Sequence, residues 1–400
     1  MRDLTPGEMA RFRRVERAFL ATCGGWGYQE VRTPTIEFLH LFTRAGTLSP
    51  QMLQRVYSFL DWDGWSGERV VLRPDATIPV VRLHAEALAD QPVAKLCYVE
   101  NVFRFAPNDD PRESWQCGAE VIGEAWPEAD LELILMALEV LASLGAGPVD
   151  VRLSHTGVIR TLLARTGYSL QEQADLYDRI LDGDAAAYGE IQARLPELDA
   201  PLHLLLDLAG GAGYLANVRS AFLPRVPELA GPLEELALVG GALDGLGVPY
   251  TVSMALARNF EYYTGPVFQL EVGGARLGGG GRYDALAALV GGRAAPATGF
   301  MLDMHALLRL LPEEPAGGPR AVAVRAEPAS PGALAAAFAL ARAARAAGLA
   351  VRTGGADGAA WSATAEETAS GVRYRLRGPD GAARDAASVE EALRLLEGAG

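Results

Sequence analysis

Four consecutive glycines, Gly278–Gly281, close a segment whose first half is dense in aromatic and β-branched residues, and that pairing narrows what the chain can build there. Tyr262, Tyr263, Val267, Phe268, Leu270 and Val272 have the composition of two paired strands, with Thr264-Gly265-Pro266 punctuating the first and Gly273-Gly274 turning into the second. A glycine run is ordinarily a turn. Ahead of Arg282-Tyr283-Asp284 it also lets a backbone come close to something that side chains would obstruct. Arg258 opens the segment with a forked donor suited to a carboxylate or phosphate, and Tyr263 adds a ring with a polar tip.

A chain of 400 residues is too long for one core, so two or three domains are expected. No run approaches the ~18–20 apolar residues of a membrane span, and MRDLTPGEMARFRR has no apolar stretch behind its charges. The expectation is a cytoplasmic protein that does not engage a membrane. Cys23, Cys97 and Cys117 are odd in number and lack CxxC spacing, which reads as core thiols rather than a disulfide framework or a metal site. The formal net charge is −14, Lys95 is the single lysine, and no basic tract occurs, so the usual electrostatic footprint of a nucleic-acid binder is missing.

In chain order, residues 4–24 read as a helix opened by Thr5-Pro6-Gly7-Glu8, and Gly27–Glu37 as one alternating strand stopping near Pro34. Tyr57–Asp61 and Arg69–Asp75 read as a hairpin across Trp62–Glu68, followed by a helix from Asp75-Ala76-Thr77 onward, where Asp75 or Thr77 is ordinarily only an N-cap. Lys95–Arg104 and Glu113–Gly123 read as strands around the loop 105–112, and alternation puts Gln116, Gly118 and Glu120 on one face. An inward carboxylate costs several kcal/mol unless paired, so Glu120 there calls for a cationic or hydrogen-bonding guest; otherwise that face is solvated. His155 reads as a satisfied loop or core histidine. Residues 158–246 are helical in pattern. Leu311–Pro319 reads as a linker, and residues 320–400 as a small α/β domain whose 10 arginines and 9 acids nearly cancel.

RNFEYYTGPVF followed by LGGGGRYD resembles the two histidine-recognition signatures of histidyl-tRNA synthetases and of their non-synthetase relative, the regulatory subunit of ATP phosphoribosyltransferase. Gly27–Glu37 resembles the first signature motif of class II aminoacyl-tRNA synthetases, where that strand lies at the dimer interface. LRPDAT, with Pro79 and Arg82 downstream, looks more like the regulatory subunit than the synthetases' LRPEGT. The resemblance, over about the first 310 residues, implies an α+β fold: a class II synthetase-like antiparallel sheet with flanking helices over residues 1–311, a helical insertion at about 158–246, and the small C-terminal domain at 320–400. It further implies a histidine site in which Asp75 and Thr77 hold the ammonium, Gln116 contacts the amino acid and Glu120 with Tyr263 holds the imidazole, with Arg258, Tyr262 and Tyr283 completing it. Arg104 is left as a residual anion contact, because Arg104-Phe105-Ala106-Pro107-Asn108 lacks the Glu and second Arg of the synthetase motif. In the third motif Asp303 and Ala306 stand where a synthetase has Gly and the Arg that grips ATP, which removes a cation and adds a carboxylate. The implied protein has no catalytic residues, cofactor or metal. Its implied partners are L-histidine, a second copy in a homodimer, and a short-form catalytic subunit in a hetero-octamer, with no nucleic acid. A true histidyl-tRNA synthetase, a free histidine sensor and a dimeric scaffold with a vestigial pocket are the alternatives.

Overall fold

The computed structural model describes residues 3–44, 56–62, 67–105, 112–125, 127–181, 184–207, 209–254, 262–312, 321–354, 359–369 and 371–397. The chain divides into two compact units, Met1–Glu313 and Glu314–Gly400. In the first unit the strands are β1 (Gln29–Glu30), β2 (Ile36–Phe38), β3 (Ser58–Trp62), β4 (Gly67–Leu72), β5 (Ala94–Phe103), β6 (Glu113–Ile122), β7 (Asp150–His155), β8 (Tyr250–Val252), β9 (Pro266–Val272), β10 (Ala275–Arg282) and β11 (Ala297–Asp303). Eight form one sheet in the order β1-β5-β6-β11-β10-β9-β7-β8, and β2, β4 and β3 form a separate three-stranded sheet. Every neighbour from β5 to β7 runs antiparallel, and a parallel strand closes each edge, β1 on β5 and β8 on β7.

Local chemistry explains most of these elements. The helix Pro6–Gly25 begins with a capping box in which the Thr5 side chain accepts from the Glu8 backbone and Glu8 accepts from the Thr5 backbone. Its apolar face, Phe12, Val15, Phe19 and Cys23, enters the same core as Leu133, Met136, Ala137 and Val140 of the helix Glu128–Leu144. β5 and β6 contain no proline and pair without a break from Ala94↔Ile122 to Phe103↔Glu113. Gly273 and Gly274 turn between β9 and β10 with φ of 57° and 79°, a region open to glycine at little cost. The helices between Thr156 and Gly245 fill the stretch between β7 and β8.

Three sequence expectations need correction. Gly27–Glu37 is not one strand: it divides into β1 and β2, which join different sheets, because Thr33 leaves the ladder to donate its backbone N–H and hydroxyl to Glu100. Tyr262 and Tyr263 precede the strand, which starts at Pro266. The glycine run is not a turn, and what its backbone comes close to is the flanking strands. It lies within β10, where a Cβ on Gly279 or Gly280 would collide with the carbonyl oxygens of Phe268 and Gly299 on the flanking strands. The turn at 63–66, the loop at 106–111 and most of the linker at 311–319 lie outside the described residues.

The second unit has strands β12 (Ala321–Ala326), β13 (Ala350–Thr353), β14 (Trp361–Thr368), β15 (Gly371–Arg377) and β16 (Ala383–Ala386), in the order β13-β12-β14-β15-β16. The middle strand, β14, has the sequence WSATAEET, which is poor in the branched residues that signal a strand. The helices Pro331–Ala346 and Val389–Glu397 pack on one face of this sheet, over Val322, Val324, Trp361, Ala363, Tyr374 and Leu376.

Candidate functional site

At the centre of the eight-stranded sheet, Glu120 is 1% exposed, and three hydroxyl groups converge on its carboxylate. Thr77, in the first turn of the helix Thr77–Ala87, donates to Oε1 at 2.8 Å; Tyr98 of β5 donates to Oε1 at 3.0 Å; and Tyr283, directly after β10, donates to Oε2. Burial is the largest influence and pushes the Glu120 carboxyl up to about 8, while the Tyr283 and Thr77 hydroxyls draw it back and the charge of Asp75 adds to the rise. The free site therefore holds Glu120 largely protonated at neutral pH. Burial also raises the phenols of Tyr98, Tyr262, Tyr263 and Tyr283, so all four stay neutral.

Two absent side chains make this arrangement fit. Gly118 pairs with Tyr98 across β5 and β6, and a Cβ there would run into the Tyr98 ring. Gly299 pairs with Glu120 across β6 and β11, and a Cβ there would run into the Glu120 carboxylate. Tyr262, Tyr263 and Tyr283 wall one side, with centroids 4.8 Å apart for Tyr262–Tyr263, 5.6 Å for Tyr262–Tyr283 and 6.3 Å for Tyr263–Tyr283.

Asp75 lies at the rim and serves at least as a cap: its Oδ1 accepts from the Ile78 backbone at 2.9 Å. Burial raises its carboxyl while that bond and the Arg104 charge lower it. Arg104 donates from Nε to the Pro74 carbonyl at 2.8 Å and so braces the turn that carries Asp75. Gln116 is buried two alternations along β6 from Glu120, with Gly118 and the Tyr98 ring between them. Arg258 lies outside the described residues. The fold thus brings Thr77, Glu120, Tyr262, Tyr263 and Tyr283 together, with Asp75 on the adjoining turn and Arg104, after β5, bonded to that turn.

Sequence reading overlooked Tyr98 and Gly299, and placed Gly118 on the Glu120 face without giving it a role, although the alternation of Leu96, Tyr98 and Glu100 in β5 was a usable signal for the first. It also overlooked two supports. Arg73 pairs with Glu100 at 2.5 Å and bonds Asn101, which fixes the strand end before Asp75. Arg282 bonds Asp130 at 2.7 and 2.9 Å, with Thr298 on the other oxygen at 2.8 Å, which fixes the backbone next to Tyr283. His155 is satisfied, its Nδ1 accepting from Gly157 and its Nε2 2.9 Å from Glu235. In the third motif Asp303 caps the helix Met304–Leu310 by accepting from the Ala306 backbone at 2.9 Å, and the Ala306 methyl is buried.

The sequence profile of the family described as histidyl-tRNA synthetase matches residues 1–307. The chain is 49% identical, over 78% of its length and 76% of the relative's, to an ATP phosphoribosyltransferase regulatory subunit of Dehalococcoides mccartyi strain BAV1. The chain belongs to the ATP phosphoribosyltransferase regulatory subunit family. Another member, from Burkholderia cenocepacia strain J2315, is 34% identical over 79% of this chain and 82% of its own. Among solved structures, an ATP phosphoribosyltransferase regulatory subunit/histidyl-tRNA synthetase from Bacillus halodurans C superposes with a TM-score of 0.74 at 27% identity, covering 88% of this chain and 90% of that one. A histidyl-tRNA synthetase from Nostoc sp. PCC 7120 shares the fold at a TM-score of 0.72 and 20% identity, with 98% and 97% covered. The family's class II synthetase fold is therefore the fold of this chain.

Proposed function

We propose that this chain is a non-catalytic regulatory subunit of ATP phosphoribosyltransferase, working in the cytoplasm, which binds L-histidine at Glu120, is needed for the activity of a short-form catalytic subunit, and transmits histidine feedback in the first step of histidine biosynthesis. The observation that carries the reading is a buried carboxylate ringed by Thr77, Tyr98 and Tyr283 and walled by tyrosines. Such a group stays in a core only when a guest or a proton balances it, and an imidazole supplies an N–H of the right size. In this reading Glu120 and Tyr263 take the imidazole, Asp75 and Thr77 the ammonium, Gln116 a polar edge and Arg258 the carboxylate. No histidyl-adenylate forms, since Asp303 is occupied as a helix cap and Ala306 offers only a methyl group where a phosphate clamp needs a cation.

Assembly belongs to the same proposal: a homodimer, joined with catalytic subunits into a hetero-octamer. Ile36, Phe38, Phe59, Leu60 and Trp62, all on β2 and β3, are between 42% and 65% exposed, and apolar residues gathered in this way favour contact between copies.

The deciding experiment mixes the chain with a short-form ATP phosphoribosyltransferase and measures activity against histidine concentration. Activity that requires the chain and that histidine inhibits is the expected outcome. Glu120→Ala is expected to raise the inhibitory concentration at least tenfold while uninhibited activity stays near wild type. Unchanged inhibition places feedback on the other subunit, and histidine-dependent pyrophosphate exchange by this chain alone restores the synthetase reading.

A further inference from the structure

Among the described residues of the second unit, the two large apolar side chains left exposed are Leu334 at 45% and Phe338 at 56%. They stand one turn apart on the helix Pro331–Ala346 and overhang one cleft of about 210 Å³. Its other walls are Ala337 of the same helix and the ends of β12 and β13, from Val324 to Ala326 and at Thr353 and Gly354. Strand register explains why it is open. Val351 and Thr353 pair with Val322 and Val324 and so belong to the face that carries both helices, yet neither is buried. The helix Pro331–Ala346 packs chiefly on β12 and β14, the helix Val389–Glu397 lies on its β15–β16 side, and the described residues of this unit include no third helix to cover the edge strand β13.

Size and charge narrow what can occupy it. A volume of about 210 Å³ is below the roughly 300–1,000 Å³ of a small-molecule site and suits one large apolar side chain. The stretches of this unit outside the described residues, 314–320, 355–358, 370 and 398–400, contain no Val, Leu, Ile, Met or aromatic residue, so they supply no such side chain. Beyond Phe338 the same stripe of the helix turns cationic. Arg342 and Arg345 follow at helical spacing, both exposed, and among the described residues no ion pair includes either. The helix itself holds no Asp or Glu.

We propose that this cleft anchors a helical segment of a partner protein, laid beside the helix from Leu334 to Arg345, with one large apolar side chain in the cleft and carboxylates opposite Arg342 and Arg345. The stripe is about 16 Å long, which matches about three turns of a second helix. A ridge of residues four apart, such as Leu334, Phe338 and Arg342, seats in the groove of a neighbouring helix, and an apolar anchor in a pocket carries most of the energy of such a contact. Guanidinium forks match carboxylates in geometry, so charge complementarity selects an acidic partner. A second copy of the same stripe is the wrong match: two of these helices face to face would bring together two arginines from each and no acid.

The test titrates full-length protein into a fluorescein-labelled, Ala-based helical peptide that carries Leu and Phe four residues apart and Glu in its first turn, and follows anisotropy at low and physiological salt. One control peptide has Ala in place of the Leu and Phe, and another has Lys in place of the Glu. Binding of the acidic apolar peptide at least tenfold tighter than either control supports the assignment when it also weakens at least tenfold in L334S/F338S and at least fivefold in R342E/R345E, with the near-ultraviolet spectrum of both variants unchanged. Thr353→Trp fills the cleft from its exposed rim, leaves the helix intact and is expected to block the peptide as well, which keeps the test decisive should the helix variants misfold. No binding at either salt overturns the proposal, as does equal binding by Thr353→Trp or equal binding of the peptide without Leu and Phe. Self-association in sedimentation that L334S/F338S abolishes, without peptide binding, overturns it in favour of a second copy.

Discussion

At the scale of residues, the site turns on one proton. Glu120 is raised to about 8 in the folded protein against an ordinary value of 4.5, so between these values the native state holds a proton that the unfolded chain has lost. The contribution is fully present below about pH 4.5 and is lost as pH rises through about 8, on the order of 4–5 kcal/mol in all. Glu120→Gln keeps a neutral group of the same shape. Its melting temperature is therefore expected to fall less than that of wild type between pH 5 and 8.5, measured without histidine; parallel curves would remove Glu120 as the titrating group. The glycines give a second prediction. Gly118→Ala drives a methyl group into the Tyr98 ring and should cost about 1–3 kcal/mol in denaturant unfolding, while weakening histidine binding in calorimetry through the displaced Tyr98 hydroxyl. Glu120 was legible in the sequence as sharing a strand face with Gln116, while alternation left open whether that face is solvated, and the structure turns it inward. Tyr98 and the two glycines were not, because their roles come from pairings across β5, β6 and β11.

At the scale of elements, the turn from Arg73 to Thr77 links the two sheets, and its placement rests on a buried ion pair. Arg73 and Glu100 are 4% and 1% exposed, and Glu100 also receives both donors of Thr33, so one carboxylate ties the segment between β1 and β2 to the turn that carries Asp75 and Thr77. Arg73→Met leaves Glu100 charged and buried, and is expected to cost about 3–5 kcal/mol. Glu100→Gln with Arg73→Met together should recover much of that loss, a coupling that a double-mutant cycle in urea measures directly. Hydrophobic alternation located β5 and β6 to within a residue or two, whereas the division of β1 from β2 depends on Glu100, 67 residues away from Thr33.

At the scale of the whole molecule, each described residue of the candidate site lies in the unit Met1–Glu313, which has its own core. A fragment ending at Glu313 is expected to bind histidine within about twofold of the full chain by calorimetry; a larger loss would give the C-terminal unit a part in the site. The sequence by itself pointed to the fold family through contiguous motifs that resemble it, and to the helical insertion and the small second domain through period and breakers, because these signals are local. The tertiary structure decided what those patterns left open. It turned the glycine run from a presumed turn into the tight centre of a sheet, since the colliding carbonyls come from β9 and β11. It converted a near-neutral charge count into cross-strand ion pairs of Arg373 and Arg375 with Glu366 and Asp385, since adjacent strands place alternate residues of distant segments side by side. And it closed three hydroxyls around Glu120 from three separate elements, a convergence that no spacing along the chain records.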